Sequence, residues 1–219
     1  MNDVVMGVDL GTQSIKVVIF DASEQRELAR ASHELELITR DDGSREQLAD
    51  WWIEGFHDCL HRLPESAKAA VVAIGVSGQQ HGFVPVSRSG KVLAPVKLWC
   101  DTATVSECEH ITAAAGGEQA CLALGGNTIA AGFTASKILW LKNNKPAAYA
   151  EMTTVMLPHD YLNYHLTDRR VMELGDASGT GLLDVRKRIW SEELIAALDG
   201  DRDLRPCFPD LIRADEVLG

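Results

Sequence analysis

Two apolar runs near the amino terminus set the tightest limit on what this chain can fold into. Val4 to Asp9 and Ile15 to Phe20 are rich in β-branched residues, and only Leu10-Gly11-Thr12-Gln13-Ser14 separates them. Branched side chains pack well on a pleated surface and a glycine-containing polar segment lets the chain reverse, so the pattern predicts strand, turn, strand. A third strand is expected over Glu27 to Leu37. Arg40 to Arg45 reads as a loop, and Leu48, Trp52, Phe56, Cys59, Leu60 and Leu63 then recur at helical spacing up to Pro64. Ala69 to Ser77 is expected to be a buried strand. It runs into Gly78-Gln79-Gln80-His81-Gly82, which puts polar groups at a strand's carboxyl end, where open α/β sheets bind ligands.

Further along, Val92 to Trp99 leads into Asp101, and Thr104 with Glu107 has the spacing of a capping box at a helix start. Helices are expected over Thr134 to Asn143 and Tyr161 to Leu166, with a polar loop through Asp176-Ala177-Ser178-Gly179. A last helix is started by Ser191, with Glu192 and Glu193 in its first turn. A β-rich opening followed by alternating helix and strand predicts an α/β domain with a mixed sheet.

Asp9 to Lys16 gathers a carboxylate, a glycine turn, two hydroxyls and a cation in one hairpin. Gly11 allows close backbone approach, Thr12, Ser14 and exposed amides can donate to phosphate oxygens, Asp9 can hold hydrated Mg²⁺, and Lys16 supplies counter-charge. An ordinary hairpin with a polar turn fits the same residues; a Walker loop or a dinucleotide fingerprint does not. His81, between glycines and amides, can match ligand groups that both donate and accept, or it can be a satisfied core histidine. Trp99 and Asp101 put an indole face and a carboxylate at the next strand end, where they can serve a ligand, or Asp101 can merely cap a helix. His57 and His61 stand four apart on one helix, but no third ligand is placed, so they read as a surface pair. No serine-hydrolase elbow occurs.

The formal charge of -11 repels nucleic acid and anionic lipid in the absence of a local basic site. The longest apolar run, near Ala69 to Val76, is far short of the roughly 20 residues that cross a bilayer. Met1 to Met6 lack the basic and long apolar stretches of an export signal, and five cysteines without a Cys-x-x-Cys pair suit a reducing compartment. A cytosolic protein acting on small molecules is therefore expected, with no nucleic-acid or membrane partner. The oligomeric state, a homodimer included, stays open.

Asp9 to Lys16 resembles the phosphate-1 motif of the sugar kinase, Hsp70 and actin superfamily. Six further segments resemble those of the FGGY family of carbohydrate kinases in collinear order: Gly43 to Gln47 before Trp51-Trp52, Gly78 to Gly82, Leu98 to Asp101, Gly132 to Lys137, Pro158 to Leu162 and Asp176 to Gly181. The resemblance covers nearly the whole chain and is greatest to the xylulokinase branch. It departs at Ala103, where many members carry an arginine.

The resemblance implies a ribonuclease H-like α/β fold, with a mixed five-stranded sheet flanked by helices, as the amino-terminal sugar-binding domain over residues 1–219. It implies ATP and Mg²⁺ as cofactors, a ketopentose substrate contacted by Gln80, His81, Trp99 and Asp101, and phosphates met by Asp9, Gly11, Thr12, Ser14 and Lys16. Asp9 would hold the metal through water. The aspartate general base would lie in a carboxyl-terminal nucleotide-binding domain absent from this chain, which alone would not turn over. The reaction implied is D-xylulose to D-xylulose 5-phosphate; ribulose, gluconate, glycerol or a non-catalytic binding role are the alternatives.

Overall fold

A computed structural model describes residues 3–219; Met1 and Asn2, part of the amino-terminal stretch read above, lie outside the described residues. The chain opens with β1 (Val4–Leu10), β2 (Ser14–Asp21) and β3 (Arg26–Glu34), then β4 (Ile38–Thr39), β5 (Arg45–Gln47), α1 (Ala49–Arg62), α2 (Glu65–Lys68) and β6 (Val71–Gly78). It continues through β7 (Val84–Val86), β8 (Val96–Lys97), α3 (Val105–Ala114), α4 (Glu118–Gly125), α5 (Thr134–Asn144), α6 (Pro146–Glu151) and β9 (Thr154–Met156). Last come α7 (Pro158–Thr167), β10 (Val171–Glu173), α8 (Leu174–Ser178), β11 (Leu183–Asp184), β12 (Ile189–Trp190), α9 (Glu192–Ala196) and β13 (Asp210–Ile212). Two compact units result: one from the described residues up to Leu37 with Leu48–Gln79, the other from Ile38–Gln47 with Gln80–Gly219.

The first unit is a sheet of order β3-β2-β1-β6, with β1 antiparallel to β2 and parallel to β6. The mixed sheet expected from the sequence is observed, with four strands rather than five. The chain leaves the sheet after β6, and its next two strands find other partners, β7 pairing with β9 and β8 with β5. Alternation along β1 and β2 buries Met6, Val8, Leu10, Ile15, Val17 and Ile19 on one face. Across that face lies α1, whose Trp52, Phe56 and Cys59 are enclosed, as their helical spacing predicts. At Gly55 the helix comes so close that a Cβ would stand 2.9 Å from Ile15 Cγ2.

The strand expected over Ala69 to Ser77 forms as β6, but it is not buried: Val72 is 70% and Ile74 48% exposed. Its apolar composition encodes the extended conformation, while burial depends on what packs against it, and α1 lies over β2 and β3.

The second unit packs α3 to α6 and α9 around Ile111, Ile138, Leu141, Met152 and Leu194. α7 and the short strands lie around Leu157, Met172 and Leu183. Ser191 caps α9 as expected, accepting from the Leu194 amide. The capping box expected at Thr104 does not form. Its hydroxyl is taken up by tertiary partners instead, the Ala131 carbonyl and Ser136. His57 and His61 are both exposed, and all five cysteines are free thiols. Among the described residues no helix is long and apolar enough to cross a membrane.

Candidate functional site

In the first unit the turn between β1 and β2 closes through the Gly11 amide, which donates to the Ser14 carbonyl at 3.0 Å. A Cβ at Gly11 would stand 3.1 Å from that oxygen, so the turn tolerates little beyond glycine. Register places Asp9 directly opposite Lys16, both exposed, while Thr12 and Ser14 are partly exposed. β1 and β6 run parallel and end together: the Gln79 amide donates to the Leu10 carbonyl at 2.8 Å and the Thr12 hydroxyl donates to Gln79 Oε1 at 3.1 Å. One surface thus carries a carboxylate, an ammonium and two hydroxyls at the carboxyl ends of two strands. That donor set suits phosphate and a hydrated magnesium ion, which takes one or two carboxylates and fills its shell with water and phosphate oxygens. No cluster of three His, Cys, Asp or Glu side chains able to hold a metal occurs among the described residues.

In the second unit the Gly132 to Lys137 and Asp176 to Gly181 segments meet at His81. This residue has φ +60°, in the left-handed region that non-glycine residues seldom occupy. Its carbonyl receives Lys137 Nζ at 2.7 Å and Thr134 Oγ1 at 3.2 Å. Its ring lies 4.9 Å from that of Phe133, and a Cβ at Gly179 would stand only 2.2 Å from its Cε1. Glycine at 179 is therefore what lets the Asp176 to Gly181 segment close against the imidazole. Gly82 plays the same part toward α7, since a Cβ there would stand 2.6 Å from Pro158 Cγ. Burial holds His81 below the usual histidine range, leaving a neutral ring able to donate from one nitrogen and accept at the other. Its Nδ1 is enclosed and has no protein hydrogen-bond partner.

Gln80, exposed, donates from Nε2 to Asp176 Oδ1 at 3.1 Å. The other oxygen of Asp176 lies 3.2 Å from His159 Nε2, which is also 3.0 Å from Asp160 Oδ1. Burial opposes a charge on His159, yet Asp160, Asp176 and Glu173 together push it up to about 9. Burial likewise pushes Asp160 up, although His159 and the Leu157 amide pull against it. The group therefore retains a proton that its members would lose in water.

Trp99 is half-exposed, and its main chain packs on Gly132, where a Cβ would stand 2.8 Å from the Trp99 carbonyl oxygen. Asp101 is placed differently from the expectation that it accepts from sugar hydroxyls. It is fully enclosed; Oδ2 accepts from the Arg45 amide at 2.9 Å and Lys97 Nζ at 2.7 Å, and Oδ1 from the Ala103 amide at 3.1 Å. With both oxygens so engaged it holds the Gly43 to Gln47 segment behind Trp99. Lys137, His159 and Asp176 carry the local electrostatics, yet they enter the sequence reading only as members of matched segments. Their signal is the motif itself, Gly-Phe-Thr-Ala-Ser-Lys, His-Asp-Tyr and Asp-Ala-Ser-Gly, and nothing local in it announces burial.

Comparison with known proteins places the chain in a family. Residues 4–219 match the family described as FGGY family of carbohydrate kinases, N-terminal domain. A xylulose kinase from Haemophilus influenzae is 38% identical over 221 residues, covering 98% of this chain and 45% of that protein. One from Lactococcus lactis subsp. lactis is 35% identical over 218 residues, covering 98% and 42% respectively. The crystal structure of a xyloylose kinase from Brucella ovis shares the fold at a TM-score of 0.87 and 31% identity, over 95% of this chain and 42% of that one. The chain spans less than half the length of these relatives.

Proposed function

The chain belongs to the FGGY family of carbohydrate kinases, as its amino-terminal domain, and from that premise we propose that it is the sugar-binding half of a kinase transferring the γ-phosphoryl of ATP to a ketopentose. The acceptor proposed is D-xylulose and the product D-xylulose 5-phosphate. One observation carries the reading: the Gly132 to Lys137 and Asp176 to Gly181 segments meet around a neutral, partly exposed histidine and an adjacent amide, His81 and Gln80. Neutral imidazole and amide groups suit a polyol, whose hydroxyls need donors and acceptors in fixed directions and no net charge.

In this reading Gln80 and His81 bond sugar hydroxyls, and the exposed Trp99 indole lies along the C–H face. Asp101 stands behind them and supports the loop. The hairpin of the first unit meets phosphate through Thr12, Ser14 and Lys16, Gly11 keeping its turn tight, while Asp9 holds Mg²⁺ through water. The metal supplies charge neutralisation to the phosphates when bound. Phosphoryl transfer depends chiefly on such positioning and charge. The general base that takes the hydroxyl proton, with most of the nucleotide contacts, belongs to the part of the relatives this chain does not span.

Calorimetry of the chain against D-xylulose, D-ribulose, L-ribulose, glycerol and gluconate tests the proposal, with His81→Ala as control. A ketopentose is expected to bind, D-xylulose most tightly, and the variant to lose about tenfold in affinity, the worth of one or two hydrogen bonds. Binding of none of the five, or equal binding by the variant, overturns it.

A further inference from the structure

Lys137 is wholly enclosed, and both hydrogen bonds the structure gives its ammonium go to main-chain oxygens: His81 O at 2.7 Å and Gly132 O at 2.6 Å. Burying a charge for two carbonyls is costly, and burial pushes this lysine down to about 7. An apolar side chain of similar length would fill the space at lower cost, so packing alone does not account for an ammonium here. What the ammonium meets is a backbone under strain. His81 is one of four non-glycine residues with positive φ among the described residues, with Gln25, Asp168 and Arg188. Of these it is the one whose carbonyl is gripped by two side-chain donors, Lys137 Nζ and Thr134 Oγ1. Both donors, and the Phe133 ring that lies against the imidazole, come from the first turns of α5 and its cap.

We infer that Lys137, with Thr134, is a positioning residue that locks His81 in its left-handed backbone conformation and so aims the imidazole at the sugar. Released from that carbonyl grip, residue 81 relaxes toward the extended region that a strand exit favours, and the ring swings out of the slot between Phe133 and Gly179. The inference deepens the sugar-binding reading and rests on it for its functional half. The backbone half stands on the hydrogen bonds and the dihedral alone.

The experiment is NMR of the isotopically labelled chain, reading the amide–Hα coupling and Cα shift of residue 81, with D-xylulose titrated into each variant. Lys137→Met is expected to move the His81 signals out of the left-handed range. It should weaken D-xylulose about tenfold, as His81→Ala does, with no further loss when the two are combined. Left-handed signals in Lys137→Met overturn the inference, as does full additivity of the two losses. Should Lys137→Met fail to fold, Thr134→Val decides through thermal unfolding. It is expected to lower Tm in the parent and much less in a His81→Gly background, since glycine takes positive φ without strain; equal losses in both overturn the lock. If His81→Ala leaves D-xylulose affinity unchanged, the sugar reading fails, and the coupling at residue 81 still decides whether the lock exists.

Discussion

His159 shows how a buried residue can order a side chain at the surface. Its ring sits between Asp160 and Asp176, and Asp176 in turn holds the Gln80 amide, so the proton on His159 steadies a side chain at the surface. A histidine raised from 6.5 to about 9 stabilises the fold fully below pH 6.5, and that contribution is lost as the pH rises through about 9. Lys137, pushed down to about 7 by burial, has the opposite slope above neutrality, so each variant must be compared with the parent. Urea midpoints for the parent and His159→Gln should differ most near pH 6 and converge toward pH 10; a gap independent of pH would show that His159 is held neutral. Gln80 and His81 are legible in the sequence because glycines bracket them at a strand's end. Lys137 and His159 are not, because a lysine or histidine in a helix gives no local sign that distant segments will enclose it.

At the scale of elements, the union of β5 with β8 depends on a buried group of charges. Lys97 lies 2.7 Å from Asp101 and 3.6 Å from Glu46, with its Nζ 4.2 Å from the centre of the Trp140 ring, and Arg40 pairs with Glu46 at the rim. Removing one member of an enclosed ion pair leaves the other uncompensated, which costs about 3 kcal/mol. Asp101→Asn is therefore expected to lower the thermal midpoint by several degrees, while Arg40→Gln, at a half-exposed partner, changes it little. Equal effects would place the stabilisation at the rim instead. The elements themselves divide by how local their causes are. β1, β2 and α1 follow from alternation and helical spacing within their own residues, and the sequence predicts them closely. Strands of two or three residues such as β8 and β9 exist only through partners far along the chain. Thr104 fails as a cap for the same reason, since Ala131 and Ser136, distant in sequence, claim its hydroxyl.

Over the whole molecule, the sheet of the first unit ends at β6, with no strand on its outer side among the described residues and with Val72 and Ile74 uncovered. Parallel strands normally lie under cover on both faces, and Val71–Gly78 has the composition of a covered strand in the position of an edge. The chain by itself is expected to self-associate as its concentration rises, and Val72→Lys to suppress this without altering the far-ultraviolet circular dichroism. Sedimentation velocity over a dilution series checks it, and an unchanged mass distribution in the variant would exonerate the strand. An unpaired row of amides and carbonyls beside bare valine and isoleucine thus offers every neighbouring copy a template to join.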